Sequence, residues 1–329
     1  MTVLDLRQRP ASEWAPRFTD LLFSENEWLT ALDPAAARGA TRRLVDSLLN
    51  DKGAALIGHT NNGQLDAAAA VGPSHWDSAH FGIEVFRLHA FSLAPDVEEP
   101  ARLAEAFARD GLVPRLASAD MVMARVSMNA VRELNALEAA GFRTMDVQVT
   151  WMRRRQEHPS SAPDHSIRTA TLADAESLSV LAREAMRKAP THFHVDHRLA
   201  AGRVDALYDR WAANSVNGGA AADHVVVCVL DGEIAGFTTA RIAGASSPDP
   251  EQYGTIPLVA VSSRFRGRRV GQRLVSAALT WLDGQGLSAS CVGTQANNFR
   301  AAHLYAELGF RPVHAAASMH RWSDAVGGS

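Results

Sequence analysis

Three groups of residues in this chain have types and spacings that could do chemistry. Residues 258–273 read LVAVSSRFRGRRVGQR: an apolar strand-like run, an Arg/Gly-rich turn, then the start of an amphipathic run. The first N–H groups of a helix lack partners within it, and the helix dipole is positive there. With small residues for close approach and arginines for charge-assisted hydrogen bonds, such a turn suits a pyrophosphate. An isolated Arg-Gly pair would read as a solvated basic turn; the flanking strand and helix favour the anion site. Tyr305 lies on a second amphipathic run and could donate a proton to a nearby anion, although alone it would read as a core aromatic. Residues 192–197, HFHVDH, place His192, His194, Asp196 and His197 at spacings that can reach two metal ions.

The elements that must position these groups are readable in the second half. Ser166–Thr171 is a short strand, and Thr171 opens a helix through Met186 as its N-cap. A further helix spans about Val204–Val216. His224–Leu230 and Ile234–Ile242 flank Asp231-Gly232, a hairpin signal. Thr255–Ser262 reads as the next strand. Val270, Leu274, Ala277, Ala278, Trp281 and Leu282 share one helix face. Leu287–Thr294 is a strand, and the helix from Asn298 carries Ala301, Leu304, Tyr305 and Leu308 at i, i+3, i+4 and i+7. Gly309 ends it, and Val313–Trp322 is the last strand.

The chain also echoes itself. A shift of 168 residues lays Gly309-Phe310-Arg311 on Gly141-Phe142-Arg143, Asn297 on Asn129, Arg300 on Arg132 and Arg321 on Arg153. A duplicated fold follows: a domain over 1–154, a polar, proline-containing linker over 155–165, a second domain over 166–323 and a frayed tail over 324–329.

Arg266-Gly267-Arg268-Arg269-Val270-Gly271 resembles the Arg/Gln-x-x-Gly-x-Gly/Ala signature of the GNAT superfamily of acetyltransferases. Asn298 through Phe310 is similar to that family's Asn-x-x-Ala-x-x-Leu-Tyr…Gly-Phe helix. The resemblance implies tandem α/β (α+β) domains, each a mixed central sheet flanked by helices. It implies acetyl-CoA or another acyl-CoA as donor, without a metal. Its phosphates would be held by Arg266, Gly267, Arg268, Arg269, Val270, Gly271 and Gln272. The thioester arm would lie along Val259, Ala260 and Val261, Asn298 would contact the CoA, and Tyr305 would protonate the departing thiolate. One departure stands out: Arg269 occupies the first signature glycine. Glu251 and Tyr253 are candidate bases, and His192, His194 or Asp196 could orient the amine.

Under the same shift the CoA loop falls on Glu98-Glu99-Pro100-Ala101-Arg102-Leu103, Tyr305 on Leu137 and Asn298 on Ala130, so the first half reads as a degenerate copy. Residues 76–82 (WDSAHFG), 193–196 (FHVD), 207–211 (LYDRW) and 214–218 (NSVNG) resemble bacterial TDP-4-amino-sugar acetyltransferases of the TDP-fucosamine type. The implied acceptor is a small-molecule primary amine such as an amino sugar or nucleotide-linked amine. Three alternatives compete. The HFHVDH motif resembles the dinuclear zinc motif of metallo-β-lactamase-fold hydrolases, but a helical run precedes it and Arg198-Leu199 replaces the usual glycines. Five arginines within 264–273 would fit a tRNA backbone, as in transferases that use aminoacyl-tRNA. A non-catalytic acyl-CoA sensor would share the fold without needing Tyr305.

Composition narrows the classes. The chain has 329 residues with net charge −3, which argues against wholesale nucleic-acid wrapping and suits two domains. Lys52 and Lys188 are its only lysines, leaving few candidates for lysine-nucleophile chemistry. Cys228 and Cys291 sit in apolar runs and read as buried thiols. No apolar run approaches the roughly 18–20 residues that span a bilayer. The opening MTVLDLRQRP lacks a signal-peptide apolar core, which predicts a cytoplasmic protein.

Overall fold

The structure is a computed structural model that describes residues 3–32, 34–155, 164–188, 190–216, 221–243 and 252–323. The first half runs β1 (Val3–Asp5), α1 (Ala11–Asn26), α2 (Pro34–Asn50), β2 (Ala55–Asn61), β3 (Gln64–Pro73), α3 (His75–Phe81), β4 (Val85–Leu93), α4 (Pro100–Ala106), β5 (Met121–Ser127), α5 (Val131–Ala139) and β6 (Arg143–Arg154). The second runs β7 (Ile167–Thr169), α6 (Ala175–Lys188), α7 (His192–Val195), α8 (Ala201–Val216), β8 (His224–Leu230), β9 (Glu233–Ala243), β10 (Tyr253–Ile256), β11 (Val259–Val261), α9 (Val270–Gly284), β12 (Ala289–Gln295), α10 (Phe299–Glu307) and β13 (Arg311–Trp322).

The duplication is visible residue for residue. The 168-residue shift carries β5 onto β12, α5 onto α10 and β6 onto β13, end to end. Both hairpins turn on two residues at positive φ, Asn62-Gly63 and Asp231-Gly232, the backbone that type I′ turns demand. Both short helices end on a left-handed glycine, Gly141 (φ 91°) and Gly309 (φ 85°). In each case the following phenylalanine returns its N–H to the helix, Phe142 to Leu137 and Phe310 to Tyr305.

The chain divides into two compact units, 1–147 with 314–329, and 148–313. These do not follow the boundaries at 154 and 166 expected from composition, because the closing strands are exchanged. Ala316–Trp322 of β13 pair with β5, and Gln148–Arg154 of β6 pair with β12. The pair Ala289↔Arg154 is the pair Met121↔Trp322 displaced by the repeat. The linker positions 156–163 and the tail 324–329 lie outside the described residues.

In the first unit the sheet order is β1-β2-β3-β4-β5-β13, antiparallel except for the parallel β4–β5 pair. One face packs Phe91, Phe107, Leu112, Leu116 and Phe142; the other packs Trp14, Phe18, Leu56 and Ala70. In the second unit the order is β6-β12-β10-β9-β8-β7, with β11 beside β9. Helix α9 buries Val275, Ala278, Leu279 and Leu282 together with Ile256, Val292, Tyr305 and Phe310. Each fully buried Leu or Phe contributes about 1.5–3 kcal/mol, which fixes α9 and α10 against their strands.

Candidate active site

The expected strand over 255–262 is broken, and the break makes the site. β10 pairs with β12 in parallel from Gly254↔Ser290 to Ile256↔Val292. Beyond Pro257-Leu258 the two strands part: β11 pairs only with β9, and the rest of β12 only with β6. Two buried threonines hold the break. Thr238 Oγ1 donates to the Leu258 carbonyl at 3.1 Å, and Leu258 N–H donates to Thr239 Oγ1 at 3.1 Å. β9 can approach β11 this closely because residue 236 is glycine; a Cβ there would stand 2.6 Å from the Ala260 carbonyl oxygen. Val259–Val261 therefore present one edge with no strand partner among the described residues.

After β11, Ser262 Oγ accepts from Arg264 N–H, a single 3-10 turn buries Phe265, and the backbone reverses through Gly267 (φ 78°) and Arg269 (φ 56°) into α9. Arg269 caps the helix without a side-chain hydrogen bond. From Gly267 to Gln272 no backbone N–H has an acceptor among the described residues; the first satisfied amide is Arg273, on the Arg269 carbonyl. A Cβ at Gly267 would meet nothing within 4 Å, so the turn is open on that side. A run of convergent, unsatisfied N–H groups at a helix start fits a diphosphate.

The arginines of the turn divide into two sets. Arg264 pairs with Glu233 at 2.7 Å, Arg268 with Asp231 at 2.6 Å, and Arg273 reaches Ser166 at 3.1 Å and Asp164 at 3.7 Å. Arg264 and Arg268 also lie over the Phe265 ring, at 5.4 and 5.5 Å. Only Arg266 and Arg269 of this group lack an ion pair among the described residues. Glu184 of α6 accepts from Ser263 N–H at 3.1 Å, a tie between that helix and the turn with no sequence signal.

Tyr305 is buried on α10, its ring edge-on to Phe310 at 5.8 Å. Its hydroxyl has no hydrogen-bond partner among the described residues, and burial raises its pKa well above the ordinary phenol value. The group stays protonated at any physiological pH. Asn298 is the N-cap of α10: Oδ1 accepts from Ala301 N–H at 3.3 Å, and Nδ2 donates to Thr294 Oγ1 at 3.0 Å. Those bonds make it a structural cap first.

The HFHVDH segment folds as one helical turn behind a Thr191 cap. His194 Nδ1 accepts from Thr191 N–H at 3.3 Å, and its ring stacks on Tyr208 at 5.4 Å. With Nδ1 accepting, the remaining proton sits on Nε2, and burial lowers the imidazole pKa. Asp196 is buried and accepts from Arg198 N–H at 3.1 Å, while His197 is exposed. No set of three or more His, Cys, Asp or Glu side chains among the described residues could hold a metal ion. Tyr253 sits half-buried on β10, opposite Ala243, and Glu251 lies outside the described residues.

With strand break, amide run and phenol in place, the family profile of the Acetyltransferase (GNAT) family matches residues 183–310. The chain carries a GNAT acetyltransferase domain. It is 24% identical to the dTDP-fucosamine acetyltransferase of Escherichia coli O6:H1 over 245 residues, 74% of this chain and 95% of that one. It is 28% identical to the spore coat polysaccharide biosynthesis protein SpsD of Bacillus subtilis over 149 residues, 45% of this chain. That second match spans only 48% of the length of SpsD. Among solved structures, a tandem GNAT protein from the clavulanic acid biosynthesis pathway superposes over 97% of this chain and 96% of its own, with TM-score 0.55 and 17% identity. The shared fold is thus tandem GNAT across the whole chain. The enzyme class is N-acyltransferase, and the donor used by GNAT enzymes is acetyl-CoA. No helix among the described residues is long and apolar enough to cross a membrane.

Proposed function

We propose that the second unit transfers an acetyl group from acetyl-CoA to the primary amine of an amino sugar, plausibly nucleotide-linked. The observation that carries this reading is the run of acceptor-free amides from Gly267 to Gln272, directly downstream of a strand with an open edge. Acetyl-CoA supplies an acyl group activated as a thioester, which a neutral amine can attack directly. The amides of Gly267, Val270, Gly271 and Gln272 hold the diphosphate, with Arg266 and Arg269 as its cations and Arg268 drawn off to Asp231. The unpaired edge of Val259–Val261 offers backbone hydrogen bonds to the donor arm and an N–H for developing oxyanion charge. Tyr305 holds its proton until a thiolate forms, because burial disfavours the phenolate.

The acceptor assignment rests on likeness to a dTDP-fucosamine acetyltransferase and to a spore coat polysaccharide protein. His194 can serve as a hydrogen-bond donor through Nε2 but not as a base, since Nδ1 is already an acceptor. His192 and Asp196 are its companions in this role. The test is calorimetric binding of acetyl-CoA, followed by thiol release with a panel of amino sugars, dTDP-amino sugars and peptide N-termini. Turnover on peptides but not on sugars would reject the acceptor class. Absence of acetyl-CoA binding would reject the donor site itself.

A further inference from the structure

The first unit contains the same strand geometry with different side chains. β4 and β5 pair in parallel from Val85↔Met121 to Leu88↔Ala124, and the β3–β4 register slips so that His89 is an extra, bulged residue. Under the repeat, His89 stands where the second unit has Pro257, and Arg125 where it has Gly293. The first unit thus sets two basic groups where its counterpart has a proline and a glycine. Arg87, two residues before His89 on β4, shares their face by strand alternation.

Four observations make this face a built site. Arg87 and Arg125 are solvent-exposed, and His89 is half-buried. Neither Arg125 nor His89 has a side-chain hydrogen bond or ion pair among the described residues; Arg87 has only Asp77, at 3.6 Å. Directly across the ladder from Arg125 lies Ser318, 3% exposed, whose hydroxyl has no hydrogen-bond partner. Burial and Arg87 together hold Arg125 below its ordinary pKa and His89 near 4, against weaker pull from Asp146 and Asp51 respectively. The cations therefore repel one another more than the nearby carboxylates compensate. Asp77 ties this face to α3, where the half-exposed Trp76 ring stacks on His80 at 5.4 Å.

We propose that this face of the first unit binds a nucleoside diphosphate group, with Arg87, Arg125 and Ser318 on the diphosphate and Trp76 against the base. Guanidinium forks match phosphate oxygens, and an exposed indole is a stacking surface for any base. The inference is separate from acyl transfer in the second unit and is read by binding alone.

The experiment is isothermal titration of the full-length protein with inorganic pyrophosphate, dTDP and CoA. Pyrophosphate and dTDP bind the wild type. Arg87→Gln and Arg125→Gln each weaken dTDP about tenfold or more, as for loss of a charged hydrogen bond. Arg125→Lys recovers part of that loss. Trp76→Ala weakens dTDP and leaves pyrophosphate unchanged, and none of these variants alters CoA. Failure of the wild type to bind dTDP overturns the proposal, as does unchanged dTDP affinity in both Arg125→Gln and Ser318→Ala. Equal loss of CoA and dTDP in Arg125→Gln also overturns it, since the site would then not be distinct. Failure of the donor reading appears instead in the wild-type CoA titration.

Discussion

Gly271→Asp separates anion binding from folding because the two effects have opposite signs. Residue 271 is the second residue of α9, and a Cβ there would sit 3.3 Å from Leu304 Cδ2, the end of a flexible side chain. The methyl group alone asks for a few tenths of an ångström. A carboxylate in the first turn of a helix gains about 0.3–1 kcal/mol from the dipole, and replacing a helical glycine removes roughly 0.5–1 kcal/mol of backbone entropy cost. Unfolding stability should therefore stay within about 1 kcal/mol of wild type or rise. A diphosphate on the same amides meets a unit negative charge at ~5 Å. At an effective dielectric of about 20 that is near 3 kcal/mol per charge pair, a loss of about 100-fold or more in affinity. Calorimetry with acetyl-CoA and thermal unfolding, run on wild type, Gly271→Ala and Gly271→Asp, read both effects. Acetyl-CoA affinity in Gly271→Asp within about threefold of Gly271→Ala would refute the assignment of these amides to the diphosphate.

Tyr305→Phe should lower kcat by about 100-fold while leaving acetyl-CoA affinity and stability unchanged, because the buried hydroxyl has no partner to lose; a fall in affinity with kcat intact would give the phenol a different task. Arg269→Gly should raise the thermal midpoint, since a non-glycine left-handed residue costs about 1 kcal/mol, and should weaken acetyl-CoA no more than about tenfold. His89 has a folded pKa of about 4, below its unfolded value of about 6.5, so the unfolded chain binds the proton first as pH falls. Its contribution is present above about pH 6.5 and is lost toward pH 4; urea midpoints across that range should fall less steeply in His89→Asn, and parallel slopes would reject the depressed pKa. Gly236→Ala should destabilise by more than about 2 kcal/mol, because its Cβ meets a backbone oxygen that cannot swing away.

What the sequence made legible was local. Asp231-Gly232, the apolar stripe of α9 and the Asn298 cap each carry their own signal, and the structure has each element where the spacing put it. The repeat was legible as well, from six identities that proved to mark three elements aligned end to end. The break at Pro257-Leu258 was not, since it depends on hydrogen bonds from Thr238 and Thr239 some twenty positions away. Nor was the pairing of Arg268 with Asp231, which removes a cation from the turn. The α7 turn was missed because its capping box uses His194 in place of the usual Glu or Gln. Strand exchange has no local signature: β6 and β13 read as ordinary terminal strands whichever sheet they join.

Comparison of the two copies locates their difference in side chains as well as in strand continuity. The first unit begins α4 behind Glu99, itself at positive φ (46°), with Pro100 at the first helical position and Glu99 paired to Arg102 at 3.0 Å. Proline removes one of the amides that a phosphate would need, and the carboxylates of Glu98 and Glu99 oppose the helix dipole that would attract it. Leu137 takes the place of Tyr305 behind the same glycine cap. Reversing the charge at 98 and 99 would still not create a donor site, because β4 runs unbroken from Val85 to Leu93 where the second unit splits into β10 and β11. An intact strand keeps its backbone in the sheet and offers no free edge of the kind at Val259–Val261. The copies thus share their backbone plan around Gly141 and Gly309 but divide the anions they can hold: an amide-and-arginine cradle at a helix start in one, guanidinium side chains on the sheet face in the other.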